Sequence, residues 1–191
     1  NISNQAPFFF FFDYSVSQEI FDLYHDEKLD MLVTSPQPSL ENLGKYYESV
    51  DYISHTDSKR SLFEKAYHIV KSIALKNKLN LINSLQSNKG RILDIGSGTG
   101  DFLSVAKENG WHTIGVEPSD KAKAIAKKKG VSFVGETSEL ENHSFDVISM
   151  WHVLEHVPNL DNQIKELKRL LKPNGTLIIA VPNFKSFDAK H

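Results

Sequence analysis

The sequence predicts an α/β fold: a parallel sheet with helices on both faces, preceded by a β-hairpin and a helical cap. Three observations carry that prediction. From Arg91 onward, short apolar runs alternate with segments of helical period, the pattern of strand–helix–strand units. The run Arg91–Ile95 passes directly into glycines at 96, 98 and 100 and then into a helix start. A second apolar run ends in an acid, Glu117, seventeen residues after Gly100.

The elements follow in order. Residues 18–24 alternate and residues 29–34 are β-prone, so a hairpin is expected across Asp26–Lys28, closed off by Pro36 and Pro38. Ile20, Phe21, Leu23, Met31 and Val33 are its expected apolar buttresses. Ser39 caps a short helix, and residues 39–58 form a lid that carries Tyr46, Tyr47, Tyr52 and His55. These rings either close over a ligand, excluding water, or pack the cap onto the sheet. Residues 58–86 are helical, with Phe63, Ala66, Tyr67, Val70, Ile73 and Ala74 expected on the core side. Strand 91–95 leads to a helix at 101–109 that Gly110 ends, then to strand 112–117. Ser119 or Asp120 caps a helix running to Lys129; Gly130 stops it, and strand 131–134 follows. Strand 145–150 precedes a helix opened by Asn159 or Asp161, whose Leu160, Ile164, Leu167 and Leu171 share a face. Pro173-Asn174-Gly175 turns the chain into strand 176–181. The expected domains are a hairpin segment at 1–38, a cap or lid at 39–87, and a ligand-binding domain at 88–191.

The loop chemistry narrows the ligand. Gly96 and Gly98 let a ligand lie against main-chain N–H groups, and Glu117 is placed to take two hydrogen bonds from a ribose diol. A dinucleotide fingerprint needs a third glycine or alanine where this chain has Asp101, whose charge opposes a pyrophosphate. Asp94 suits an ammonium group. A nucleoside bearing an α-amino acid and no phosphate, S-adenosylmethionine, meets these demands.

Leu93-Asp94-Ile95-Gly96-Ser97-Gly98-Thr99-Gly100 resembles the first motif of the class I S-adenosylmethionine-dependent methyltransferases. Two further segments extend the resemblance. Residues 170–177 look like the helix–turn–strand before strand five of that class. Phe145-Asp146-Val147-Ile148 with His152-Val153-Leu154-Glu155-His156-Val157 is similar to the ubiquinone-type, small-molecule branch. The match spans about residues 88–183. It implies a Rossmann-like sheet, S-adenosylmethionine as cofactor with S-adenosylhomocysteine as product, and a small-molecule, saccharide or lipid-linked acceptor. It also implies a cofactor site of Asp94, Gly96, Ser97, Gly98, Glu117, Pro118, Glu136, Thr137 and Trp151, with adenine near Thr137 and the reactive methyl near Trp151 or His152. Tyr47, Tyr52 and His55 are the lid candidates. In some members of the branch a similar hairpin is a zinc ribbon. Here the turn His25-Asp26-Glu27-Lys28-Leu29 has no cysteine and reads as a degenerate ribbon without metal. The class usually adds strands six and seven. With the sequence stopping at His191 these are absent, so either further residues complete the sheet or a partner, such as a second copy, covers the apolar edge 177–181.

Methyl transfer from a sulfonium needs alignment and exclusion of water more than acid–base help. His152, following strand four at the ligand-binding edge, is the candidate base, with Glu155 and His156 as second choices; a hydrogen-bonded structural role is the competing reading. A cofactor-binding but inactive partner subunit is the alternative function. With 191 residues and 40% hydrophobic content, the chain is long enough for a full core. A net charge of −2 argues against nucleic acid, and the lysines at 121–129 read as a solvated helix face. The absence of cysteine excludes disulfides and zinc–thiolate sites, and a cytoplasmic location fits it. No apolar run in the sequence is long enough to span a membrane.

Overall fold

The computed structural model describes residues 6–14, 17–39, 42 and 62–187, with side chains from residue 67 in the last stretch. The chain divides into two compact units, Asn1–Ser58 with Asn183–His191, and Lys59–Pro182.

In the second unit a long helix, α1 (Leu62–Leu85), precedes strand β4 (Arg91–Ile95) and helix α2 (Asp101–Glu108). Then come β5 (His112–Val116), α3 (Asp120–Lys128) and β6 (Ser132–Val134). After β7 (Phe145–Trp151), helix α4 (Leu160–Leu170) leads to β8 (Leu171–Ala180). The five strands are parallel in the order β6-β5-β4-β7-β8. Along β4 the period of two divides the core. Ile92 joins Leu79 and Ile82 of α1 and Phe102, Leu103 and Ala106 of α2, whereas Leu93 and Ile95 join Leu167 and Leu170 of α4. Each fully buried aliphatic side chain contributes about 1.5–3 kcal/mol. Ser119 caps α3, its Oγ accepting from the Ala122 N–H at 3.3 Å, and Asn159 caps α4 through the Asn162 N–H at 3.0 Å.

Three expectations need correction here. Of the expected stripe on α1, Tyr67, Val70, Ile73 and Ala74 are exposed, while the side chains of Phe63 and Ala66 lie outside the described residues; among those described, the buried side runs through Leu75, Leu79 and Ile82. The sequence holds two stripes about one residue apart in rotation, and tertiary contact with α2 and β4 selects the second. On α4, Leu160 and Ile164 are exposed and Leu170 is buried in place of Leu171, which has already entered β8. Finally, β8 starts at Leu171 instead of Thr176. Leu171 pairs with Phe145 and Thr176 with Val147, so Pro173-Asn174-Gly175 is looped out as a bulge within the strand.

The first unit holds an antiparallel sheet, β1 (Phe9–Phe12), β2 (Ile20–Asp26) and β3 (Met31–Ser35), in that order. The expected hairpin is present, Asp26 pairing with Met31 and its Oδ1 accepting the N–H groups of Lys28 and Leu29. The phenylalanine run adds a third strand that sequence reading missed. Of the expected buttresses only Phe21 is buried, stacked on Phe11 at 5.5 Å; Leu23 and Val33 are half-buried, and Ile20 and Met31 are exposed. Residues after β8 join this unit, where Lys185 Nζ reaches both carboxylate oxygens of Asp30 at 2.6 Å and Phe184 meets the His25 ring. Asp30 also takes His25 Nε2 at 3.2 Å. Among the described residues no group of three or more His, Asp or Glu side chains gathers as a metal site, and no helix is long and apolar enough to cross a membrane.

Candidate functional site at the carboxyl edge of the sheet

The chain runs outward from β4 to β6 and then returns to β7, so the strand order reverses between β4 and β7, the point at whose carboxyl edge open α/β sheets bind ligands. Side chains that are costly to bury sit there. Asp94, next to last in β4, is only 3% exposed. Its Oδ1 accepts from Ser149 Oγ of β7 at 2.6 Å. Burial pushes the Asp94 carboxyl up to about 7; the Ser149 bond and the charge of Lys78 act against this, and Glu117 adds to it. Lys78, from α1, lies 4.4 Å from the Trp151 ring centroid, and burial pulls its ammonium below its ordinary value while Asp94 holds it up.

The loop between β4 and α2 is shaped by three left-handed glycines. A Cβ on Gly96 would run into Val153 at 2.4 Å, and one on Gly100 into Ala126 at 2.7 Å, so both are required for packing. On Gly98 a Cβ would meet nothing within 4 Å. That backbone faces open space of the kind a ligand lying on it fills. Glu117, 7% exposed, reaches across from the end of β5. Its Oε2 accepts the Gly98 N–H at 2.8 Å and its Oε1 accepts the Ser119 N–H at 2.9 Å. Two buried polar atoms here lack a partner, Ser97 Oγ and Trp151 Nε1.

The remaining sequence candidates are placed as follows. Pro118 and Glu136 are exposed beside β5 and β6. Thr137 is committed elsewhere: its side chain bonds Glu166 and its carbonyl accepts from Arg169 Nη2 at 3.0 Å. His152 follows Trp151, 64% exposed on the side chain, with a left-handed backbone (φ 58) that a non-glycine residue adopts at a cost. Its Nδ1 is 3.7 Å from Glu155, and His156 Nε2 is 4.0 Å from the same oxygen. His156 is half exposed. Tyr46, Tyr47, Tyr52 and His55 lie outside the described residues.

Lys78, Ser149, Lys71 and Lys129 were missed by the sequence reading. The signal for two of them was present, since Lys71, Leu75, Lys78, Leu79 and Ile82 keep a 3.6-residue period. Asp101 is not a bare charge. Its carboxylate is bonded to Lys71 at 2.8 Å, Lys129 at 2.8 Å and Thr99 Oγ1 at 2.7 Å. Burial would raise its pKa, but these bonds outweigh it and hold the group below the ordinary carboxylate value. The charge of Asp101 is therefore compensated and does not by itself repel a pyrophosphate. The case against a dinucleotide rests on Asp94. Lys129 likewise is no free surface charge, unlike the solvated face expected for that lysine run.

The family model of the methyltransferase domain matches residues 58–190. The chain belongs to that family. It is a methyltransferase domain of the class I S-adenosylmethionine-dependent fold, and S-adenosylmethionine is the cofactor of that class. A ubiquinone biosynthesis O-methyltransferase of Actinobacillus pleuropneumoniae is 31% identical to it over 131 residues, 59% of this chain and 56% of that one. An uncharacterized protein of Methanocaldococcus jannaschii is 36% identical over 105 residues, 53% and 49% of the two chains. The methyltransferase domain thus spans about half the length of the curated relatives it matches. Among solved structures, a Thermotoga maritima S-adenosylmethionine-dependent methyltransferase, described as a possible histamine N-methyltransferase, superposes with a TM-score of 0.53 at 32% identity, covering 66% of this chain and 60% of that one. An Archaeoglobus fulgidus S-adenosylmethionine-dependent methyltransferase, at 24% identity and a TM-score of 0.54 over 65% of this chain and 59% of its own, shares the fold.

Proposed function

We propose that this protein transfers the methyl group of S-adenosylmethionine to a small-molecule, saccharide or lipid-linked acceptor. The observation that carries the reading is the pairing of two buried carboxylates, Asp94 and Glu117, around a glycine backbone with open space above Gly98. Asp94 takes the cofactor's ammonium and Lys78 its carboxylate, each charge meeting its opposite in a site partly closed to water. Gly96, Ser97 and Gly98 line the methionine end, and Glu117 accepts the ribose hydroxyls on the lone pairs its two backbone bonds leave free. Pro118, Glu136 and Thr137 border the adenine; since the Thr137 hydroxyl is bonded to Glu166, that residue contributes shape and backbone.

When bound, the cofactor supplies an electrophilic methyl on a sulfonium leaving group. The chain's own residues orient it, exclude water and handle one proton. Trp151 borders the reacting end and His152, exposed on the acceptor side, takes the acceptor's proton when the acceptor is a hydroxyl. Two of the relatives, a ubiquinone biosynthesis O-methyltransferase and a possible histamine N-methyltransferase, support a small acceptor. Turnover of S-adenosylmethionine to S-adenosylhomocysteine with catechol and imidazole acceptors tests the reading. Tight cofactor binding without turnover would favour a cofactor-binding partner subunit.

A further inference from the structure

Three segments far apart in sequence converge beneath the glycine loop. Lys129, at the end of α3, donates to the Thr99 carbonyl at 2.9 Å and to Asp101 Oδ1 at 2.8 Å. Lys71, from α1, donates to Asp101 Oδ2 at 2.8 Å. Thr99 Oγ1 closes the ring on the same Oδ2. All three charged side chains are mostly buried, with 22–30% exposure. The loop hangs from this knot. Gly100 N–H is held by the Ser97 carbonyl at 3.0 Å, and two residues before Gly100 the Gly98 N–H is held by Glu117. Nothing in methyl transfer calls for a charged side chain at 129, and the sequence pattern made it a surface lysine.

We propose that Lys129 is a positioning residue for the cofactor, acting through Thr99 and Asp101. Its ammonium fixes the Thr99 peptide and the first residue of α2 together, which sets the direction of the Gly98 N–H and the open face above it. Lys71 extends the same lock to α1, the helix that delivers Lys78 to Asp94. Cofactor affinity therefore depends on an ion pair that touches no part of the cofactor. The inference rests on the cofactor reading above, and one readout is independent of it.

The test compares Lys129→Met with Lys129→Arg in the full chain. Hydrogen exchange in the free protein reads the loop directly, and calorimetry with S-adenosylhomocysteine reads the consequence. In the methionine variant the Gly98 and Gly100 amides should exchange about tenfold faster, with core amides of β4 and β7 unchanged. S-adenosylhomocysteine should bind about tenfold more weakly, at a melting temperature within a few degrees of wild type. Arginine, which keeps the charge and enough donors for both acceptors, should restore both values. Unchanged loop exchange in Lys129→Met overturns the proposal, as does faster exchange with unaltered affinity, or an arginine variant that behaves like methionine. A wild type that binds no S-adenosylhomocysteine fails the cofactor reading instead, and the clamp is then decided by exchange alone.

Discussion

Glu117 Oε2 accepts the Gly98 N–H at 2.8 Å, so the acid at the end of β5 holds the backbone of the proposed cofactor loop. In the proposed function ribose recognition and loop geometry are joined in this one carboxylate. Glu117→Gln leaves a single acceptor oxygen for two backbone N–H groups and removes the charge. S-adenosylhomocysteine binding should weaken by about 1–3 kcal/mol in a folded protein. Calorimetry showing unaltered affinity would take Glu117 out of the site.

The three glycines separate by what a side chain would strike. Gly98→Val keeps the fold, at a cost of about 1–2 kcal/mol for its left-handed backbone, and blocks cofactor binding by filling the open space. Gly96→Ala instead collides with Val153 inside the protein and lowers the melting temperature markedly. Paired melting curves and titrations distinguish the two. Micromolar binding by Gly98→Val would make the loop a mere turn.

Asp94 gives the site its pH dependence. Its folded pKa of about 7 lies above the ordinary 3.8, so the folded state holds a proton that the unfolded chain has released. Stability contributed at this site is thus lost as pH rises from about 4 through about 7, by at most about 4 kcal/mol, and Asp94→Asn should flatten that slope. Cofactor binding runs the opposite way. An ammonium partner requires the ionised carboxylate, so affinity for S-adenosylhomocysteine should rise with pH up to about 7 and binding near neutrality should release a proton. Titrations in buffers of different ionisation enthalpy measure that proton; none released would contradict the assignment.

Phe21 is the buried anchor of the amino-terminal sheet. Phe21→Ala should destabilise that unit by about 3–5 kcal/mol, whereas Ile20→Ala, at an exposed position, should change it by less than about 0.5 kcal/mol. Chelator should leave the melting curve unchanged. A loss of structure on chelation would point to a metal near His25.

The succession of strands and helices after Arg91 and the glycine loop were readable in the sequence because each rests on a local signal: β-run, glycine, acid, cap. Asp94, Gly98 and Glu117 announce themselves in this way. Lys78 and Ser149 do not, since their roles arise from packing α1 and β7 against β4, and α1 offered two apolar stripes of similar strength. Asp101 reads in the sequence as a charge that opposes a pyrophosphate, and its compensation is not legible there because Lys71 and Lys129 come from distant segments. The bulge in β8 was hidden by Pro173-Asn174-Gly175, a strong turn signal that the strand accommodates by looping the three residues out. The third amino-terminal strand was missed because five consecutive phenylalanines show no alternation.

Equilibrium titration with S-adenosylhomocysteine, set beside NAD, tests the central claim most directly: that Asp94 and Glu117 make the carboxyl edge of β4 and β5 a site for a phosphate-free nucleoside amino acid. One-site binding of S-adenosylhomocysteine is expected, weakened at least about fivefold in Asp94→Asn and in Glu117→Gln, with no binding of NAD. Tight binding of NAD, or S-adenosylhomocysteine affinity indifferent to both substitutions, would contradict it.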